Sequence, residues 1–192
     1  MNATVTTATT LDPERTALVT ELSTVRANLV STTRGLTDEQ LGERPTVSAL
    51  CLGGLIKHVS AMEESWMRFI LEGTSAMNYD MPDGVTWDDF FSGTATEFPQ
   101  WAIDHQNGFQ MLPGDTLSGI VARYEQVAAA SEEIIAAIPD LSVTHPLPAA
   151  PWHKPGSVLS LRGVVLHVIV ETAQHAGHAD IIRESLDGQT ST

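Results

Sequence analysis

Three histidines and one glutamate, His167, Glu171, His175 and His178, occupy the stretch from Leu166 to Asp180 at spacings of four, four and three. At the helical advance of roughly 100° per residue, all four side chains fall within an arc of about 80° on one face. Their neighbours Val165, Val168, Ile169, Ala173, Ala176 and Ile181 are apolar. A stripe of imidazoles and a carboxylate set among apolar residues is costly to bury unless something compensates it, and a divalent cation does so. Glu171 and His175, one turn apart, present a carboxylate oxygen and an imidazole nitrogen to the same point, the device by which helical metalloproteins build half a site. A further ligand must come from another helix. His58 lies among Leu55, Ile56, Val59 and Met62, positions that face an interior. Two histidines and a carboxylate leave coordination positions open, the pattern of catalytic rather than structural zinc. Spacing alone leaves the choice among Glu171, His167 and His178 open.

Other reactive side chains carry weaker signals. His105 and His145 read as solvent-exposed loop histidines. His153, in Trp152-His153-Lys154-Pro155-Gly156, sits in a loop that can overhang a site. Cys51 reads as a small core residue, since no base stands near it to make a reactive thiolate. The aromatic residues from Tyr79 to Trp101 read as core filler rather than as a cofactor box. The chain offers no nucleophilic Ser-His pair, phosphate loop or dinucleotide fingerprint.

These residues need elements to hold them. Asp12-Pro13 is a helix start, with Asp as N-cap and Pro at the first helical position. Leu18, Leu22, Val25, Leu29 and Val30 recur at helical spacing to about Thr33, and Gly35 stops the run. Thr37 followed by Gln40 has capping-box spacing and opens one short turn. A second long helix runs from about Leu50 to Leu71, and Gly73 ends it. Residues 74 to 113 form a long insertion whose Trp87–Phe91 and Trp101–Ile103 stretches suit short helices. Gly114-Asp115-Thr116 caps a third long helix, which Pro139 terminates. Residues 142 to 157 contain Pro146, Pro148, Pro151 and Pro155 and read as one extended loop. Ser160 caps the last long helix, about Leu161 to Leu186, with Asp187-Gly188 as its stop. Four long helices and no convincing strands predict an all-α four-helix bundle.

Composition narrows the class. At 192 residues the chain suits one domain, here 12–188 behind a frayed tail over 1–11. A formal charge of −14 argues against nucleic acid or an anionic membrane as partner. Cys51 is the one cysteine, so no intrachain disulfide forms. The start, Met1 to Thr10, lacks the basic and apolar regions of a signal peptide, and no apolar run approaches the ~20 residues of a membrane span. A cytoplasmic protein is expected.

The segment Gly53-Gly54-Leu55-Ile56-Lys57-His58-Val59-Ser60-Ala61-Met62-Glu63-Glu64-Ser65-Trp66, together with Glu171-Thr172-Ala173-Gln174-His175-Ala176-Gly177-His178-Ala179-Asp180-Ile181-Ile182-Arg183-Glu184, resembles the DinB-like (YfiT-like) superfamily. More narrowly it is similar to the actinobacterial branch of mycothiol-dependent S-transferases and maleylpyruvate isomerases, and the likeness covers nearly the whole chain in helix order. The resemblance implies an up-down-down-up bundle and a divalent metal, zinc first and nickel second. It assigns the ligands to His58, Glu171 and His175; relatives often carry His where Glu171 stands, and the thiol-using branch has the ExxxH form seen here. It makes His178 and His167 supporting or pocket-lining residues with a part in catalysis.

The implied reaction is S-transfer: a low-molecular-weight thiol such as mycothiol binds sulfur-first to the ion, and the thiolate attacks an electrophilic small molecule. His153 and Arg162, near the start of the last helix, are then candidates to hold the thiol's polar groups. The resemblance, with the aromatic excess of the insertion, also implies a homodimer. Two other readings stand beside this one: a metal-dependent hydrolase using bound water, and a non-catalytic metal-binding stress-response dimer.

Overall fold

Helices begin where the sequence supplies a side chain to satisfy their first amides. The structure, a computed structural model, describes residues 11–190, so the expected tail lies outside the described residues except for Leu11. Helix α1 (Pro13–Ser31) starts at Asp12, whose carboxylate accepts the Arg15 amide at 2.9 Å. Helix α2 (Asp38–Leu41) opens on a reciprocal capping box between Thr37 and Gln40. Helix α3 (Leu52–Glu72) ends at Gly73, whose φ of +67° is a backbone conformation that only glycine adopts freely.

The insertion that follows holds a 3-10 turn, Gly73–Ala76, and two short helices, α4 (Trp87–Ser92) and α5 (Gln100–Gly108). Thr116 caps α6 (Leu117–Ala137) by accepting the Gly119 amide, and Ser160 caps α7 (Leu161–Asp187) in the same way with Gly163. The ends of the long helices shift by one or two residues from the sequence reading, within the fraying expected of terminal turns, whereas α5 runs five residues past the Trp101–Ile103 stretch.

One expectation is corrected. The stretch 142–157 is not a single extended loop, because its first residues pair with those that follow it. Strand β1 (Thr144–Pro146) runs antiparallel to β2 (Val158–Ser160), with His145 opposite Leu159. The prolines keep the backbone extended, and a two-stranded edge tolerates Pro146, which has no amide to give to a ladder. The protein is mostly helical with this one small sheet among the described residues.

Helix α1 packs against α6 and α7, and α3 packs against the same two. Two apolar clusters result. One contains Leu22, Phe69, Ile135 and Val168; the other contains Leu29, Ile56, Val59, Val127 and Ala179. Between them, along each of the four long helices, lies a buried polar residue: Arg26, Glu63, Ser131 and Thr172. Arg26 holds the Glu63 carboxylate through two nitrogens and Glu132 through a third at 3.0 Å, while the Ser131 hydroxyl donates to Glu63. Burying this charge is tolerable because it is paired. Among the described residues no helix is long and apolar enough to cross a membrane.

Candidate functional site

The N-terminal end of α3 lies unusually close to the segment after α5. A side chain at Gly54 would fall on the Phe109 carbonyl, and one at Gly53 on the Met111 sulfur. The absence of both β-carbons therefore lets the 109–111 backbone lie against α3. Lys57 Nζ fastens the contact by donating to the Gln110 carbonyl at 2.8 Å and to Asp115 at 2.5 Å. The consequence is chemical: Phe109 stacks on the His58 imidazole with ring centroids 3.8 Å apart.

His58 meets α7 on its other side. Its ring lies 4.9 Å from that of His175, and His175 Nε2 lies 3.9 Å from Glu171 Oε2. The residues of the spacing argument thus come together across α3 and α7. Burial, with the neighbouring His175 and His105, pushes the His58 pKa down to about 3, and burial first of all lowers that of His175. Both rings are neutral at pH 7 and present lone pairs, the form a metal ligand needs. The His175 Nδ1 atom is buried without a hydrogen-bond partner.

These features fit a divalent ion in donor chemistry: two neutral imidazoles and a carboxylate that faces His175 and interacts with His167. The side chains do not converge as tightly as bound ligands do. Among the described residues no three His, Cys, Asp or Glu side chains form a ready metal-holding group.

The remaining candidates are placed around this pair. His178 is exposed, its ring 5.5 Å from that of His175. His167 is half-buried against Trp66 at 4.7 Å, where burial lowers its pKa while Glu171 opposes that shift. His153 Nδ1 binds the Pro148 carbonyl at 3.0 Å. Arg162 is held by Glu14 of α1 through both a short contact and one of 3.1 Å, so its guanidinium ties α7 to α1.

Two histidines differ from the sequence reading. His145 is half-buried in β1, with Nε2 bonded to the Ile70 carbonyl and its ring on Phe69. His105 remains exposed, but it sits in α5 rather than a loop, and its ring lies 5.1 Å from His58. Contact with His58 and Phe109 desolvates that ring and lowers its pKa. The periodicity of the insertion is too weak to place it there from sequence.

A cavity of about 510 Å³ opens beside His58. Trp66, Tyr79 and Trp101 supply flat apolar walls, and Ser65, Asn78 and His105 supply polar groups. The aromatic residues of the insertion are not simply core. Tyr79, Trp87 and Trp101 form a cluster with Trp152, yet Phe91 is 62% and Trp152 49% exposed. The 74–113 region and the Trp152 loop therefore stand together at the pocket side of the molecule.

The chain matches the family model described as mycothiol-S-transferase over residues 17–188. That range takes in α2 to α7 whole and α1 apart from its first turn. No curated protein matches the chain.

Proposed function

The chain belongs to the mycothiol-S-transferase family, a DinB-like group, and from that membership and the site's geometry we propose that it transfers a mycothiol-type thiol to an electrophilic small molecule. The single observation that carries the reading is the open pocket that ends on His58, with His175 and Glu171 behind it. A sugar-bearing thiol needs flat apolar walls for its rings and hydrogen-bonding groups for its hydroxyls, and the pocket supplies both. The same reading includes an up-down-down-up four-helix bundle, which the packing of α1 and α3 against both α6 and α7 supports.

His58, Glu171 and His175 would hold a divalent ion, zinc before nickel. Such an ion favours the thiolate form of a nearby thiol over the thiol itself. The chain's own residues do the rest. Phe109 covers one face of His58 and keeps water from it. Trp66, Tyr79 and Trp101 orient the thiol's bulk so that its sulfur points to His58. His105, neutral and on the pocket wall, accepts the thiol proton at a ring nitrogen. The sulfur lone pair then forms the carbon–sulfur bond, and the leaving group departs with the electron pair of the bond it breaks. His178 and His167 flank the site on α7 and serve as supporting groups.

Metal analysis after dialysis against zinc tests the ligand assignment. One ion per chain is expected, with stoichiometric uptake at micromolar zinc. A folded chain that takes up none overturns it.

A further inference from the structure

Three buried side-chain atoms in the described part of the molecule make no hydrogen bond of good geometry, Tyr124 Oη, Thr172 Oγ1 and His175 Nδ1, although Tyr124 lies within interaction range of Thr172 and Arg26. They share one region. Thr172 and His175 are three residues apart on α7, which puts their side chains at neighbouring positions on one face of the helix. Tyr124, reaching in from α6, lies beside the Thr172 hydroxyl and the Arg26 guanidinium, within the field of the Glu63 carboxylate. Thr172 is 0% and Tyr124 2% exposed, so bulk water reaches neither hydroxyl.

An unsatisfied buried polar group costs about 1–3 kcal/mol. Tyr124 and Thr172 are neighbours, and His175 follows Thr172 by one helical turn, so a single small bridging molecule can serve all three groups. A buried water makes about three such bonds.

The two nitrogens of His175 face different surroundings. Nε2 faces Glu171 at 3.9 Å, while Nδ1 is buried without a hydrogen-bond partner. An acceptor at Nδ1 holds the proton there and leaves the Nε2 lone pair directed at the site. We propose that Tyr124 and Thr172 are positioning residues for His175, joined to its Nδ1–H by one buried water and anchored through Tyr124 on the Arg26–Glu63 pair. The bridging water accepts from Nδ1–H and donates to Thr172 Oγ1, and the Tyr124 hydroxyl donates to the water. Tyr124 remains a donor throughout the neutral range, because burial and Glu63 raise its pKa well above the usual phenol value. The buried polar layer of the four helices thereby extends to the site.

This inference rests on the reading of His175 as a donor to a divalent ion, and its test separates the two. The tautomer of His175 is read by ¹⁵N NMR on the metal-free full chain, with His175→Gln identifying the resonance, and zinc affinity is measured in parallel. The wild-type chain is expected to carry its proton on Nδ1. Thr172→Val and Tyr124→Phe are expected to give mixed tautomers and to weaken zinc about 10–100-fold. Thr172→Ser, which keeps the hydroxyl, should restore both, and it decides the matter if Tyr124→Phe does not fold. An Nε2-protonated wild type, or an unchanged tautomer in Thr172→Val, overturns the proposal whatever the zinc result. A wild type that carries the Nδ1 proton but binds no zinc overturns the metal reading and leaves the positioning of His175 standing.

Discussion

His58→Ala is expected to release the divalent ion and to lower thiol-dependent turnover by more than about 100-fold, beyond the effect typical of residues that only support a ligand. His58 is the one candidate donor outside α7, facing His175 at 4.9 Å. Glu171 and His175 alone, on one helix, offer two donors where the site needs converging ones from two elements. The fold should survive, because alanine is the best helix former and His58 is only half-buried. Far-UV circular dichroism and metal analysis of the variant check both halves. Full zinc occupancy in a folded His58→Ala chain contradicts the ligand assignment.

Glu63→Ala is expected to cost about 3–5 kcal/mol of stability, the range for removing one partner of a buried ion pair. Glu63 is 0% exposed and is held by Arg26 and the Ser131 hydroxyl. Its loss leaves a guanidinium buried at 6% exposure with only the surface residue Glu132 as a charged partner. For a chain of this size the melting temperature should fall by about 10 °C. The double substitution Arg26→Met, Glu63→Leu should recover most of that loss, since a well-packed apolar pair often matches a buried ion pair in stability. Thermal unfolding that is unchanged in Glu63→Ala contradicts this account of the polar layer.

Much of the architecture was legible because local chemistry and helical period agreed. Asp12, Thr37, Thr116 and Ser160 cap helices where their spacing predicts, and Gly73 and Gly188 end them at positive φ, Gly188 in left-handed helical geometry. The site was legible where donors share one helix: the Glu171 and His175 spacing is a property of α7 alone. What joins separate elements was not. The β1–β2 pairing depends on two short segments meeting across a proline-rich loop, which no local period encodes. His105 and Phe109 reach His58 only because Gly53 and Gly54 admit the chain after α5, a contact between residues some fifty positions apart.

The buried polar layer also has a trace in the sequence. Arg26 stands four residues after Leu22, and Glu63 four after Val59, so opposite charges occupy core-facing positions of two helices. Arg162, a candidate for the thiol's polar groups by its place near the start of α7, pairs with Glu14 of α1, a contact between distant residues that no local pattern encodes.

The central claim is thiol transfer at the pocket beside His58, and one measurement addresses it directly. The zinc-loaded chain is assayed with a chromophoric electrophile in the presence of mycothiol, bacillithiol, glutathione or no thiol. The account predicts turnover that requires a thiol and is fastest with mycothiol, because the walls and polar groups of the cavity suit a sugar-bearing thiol. Turnover of the electrophile at the same rate without any thiol, or none with any of the three, contradicts it.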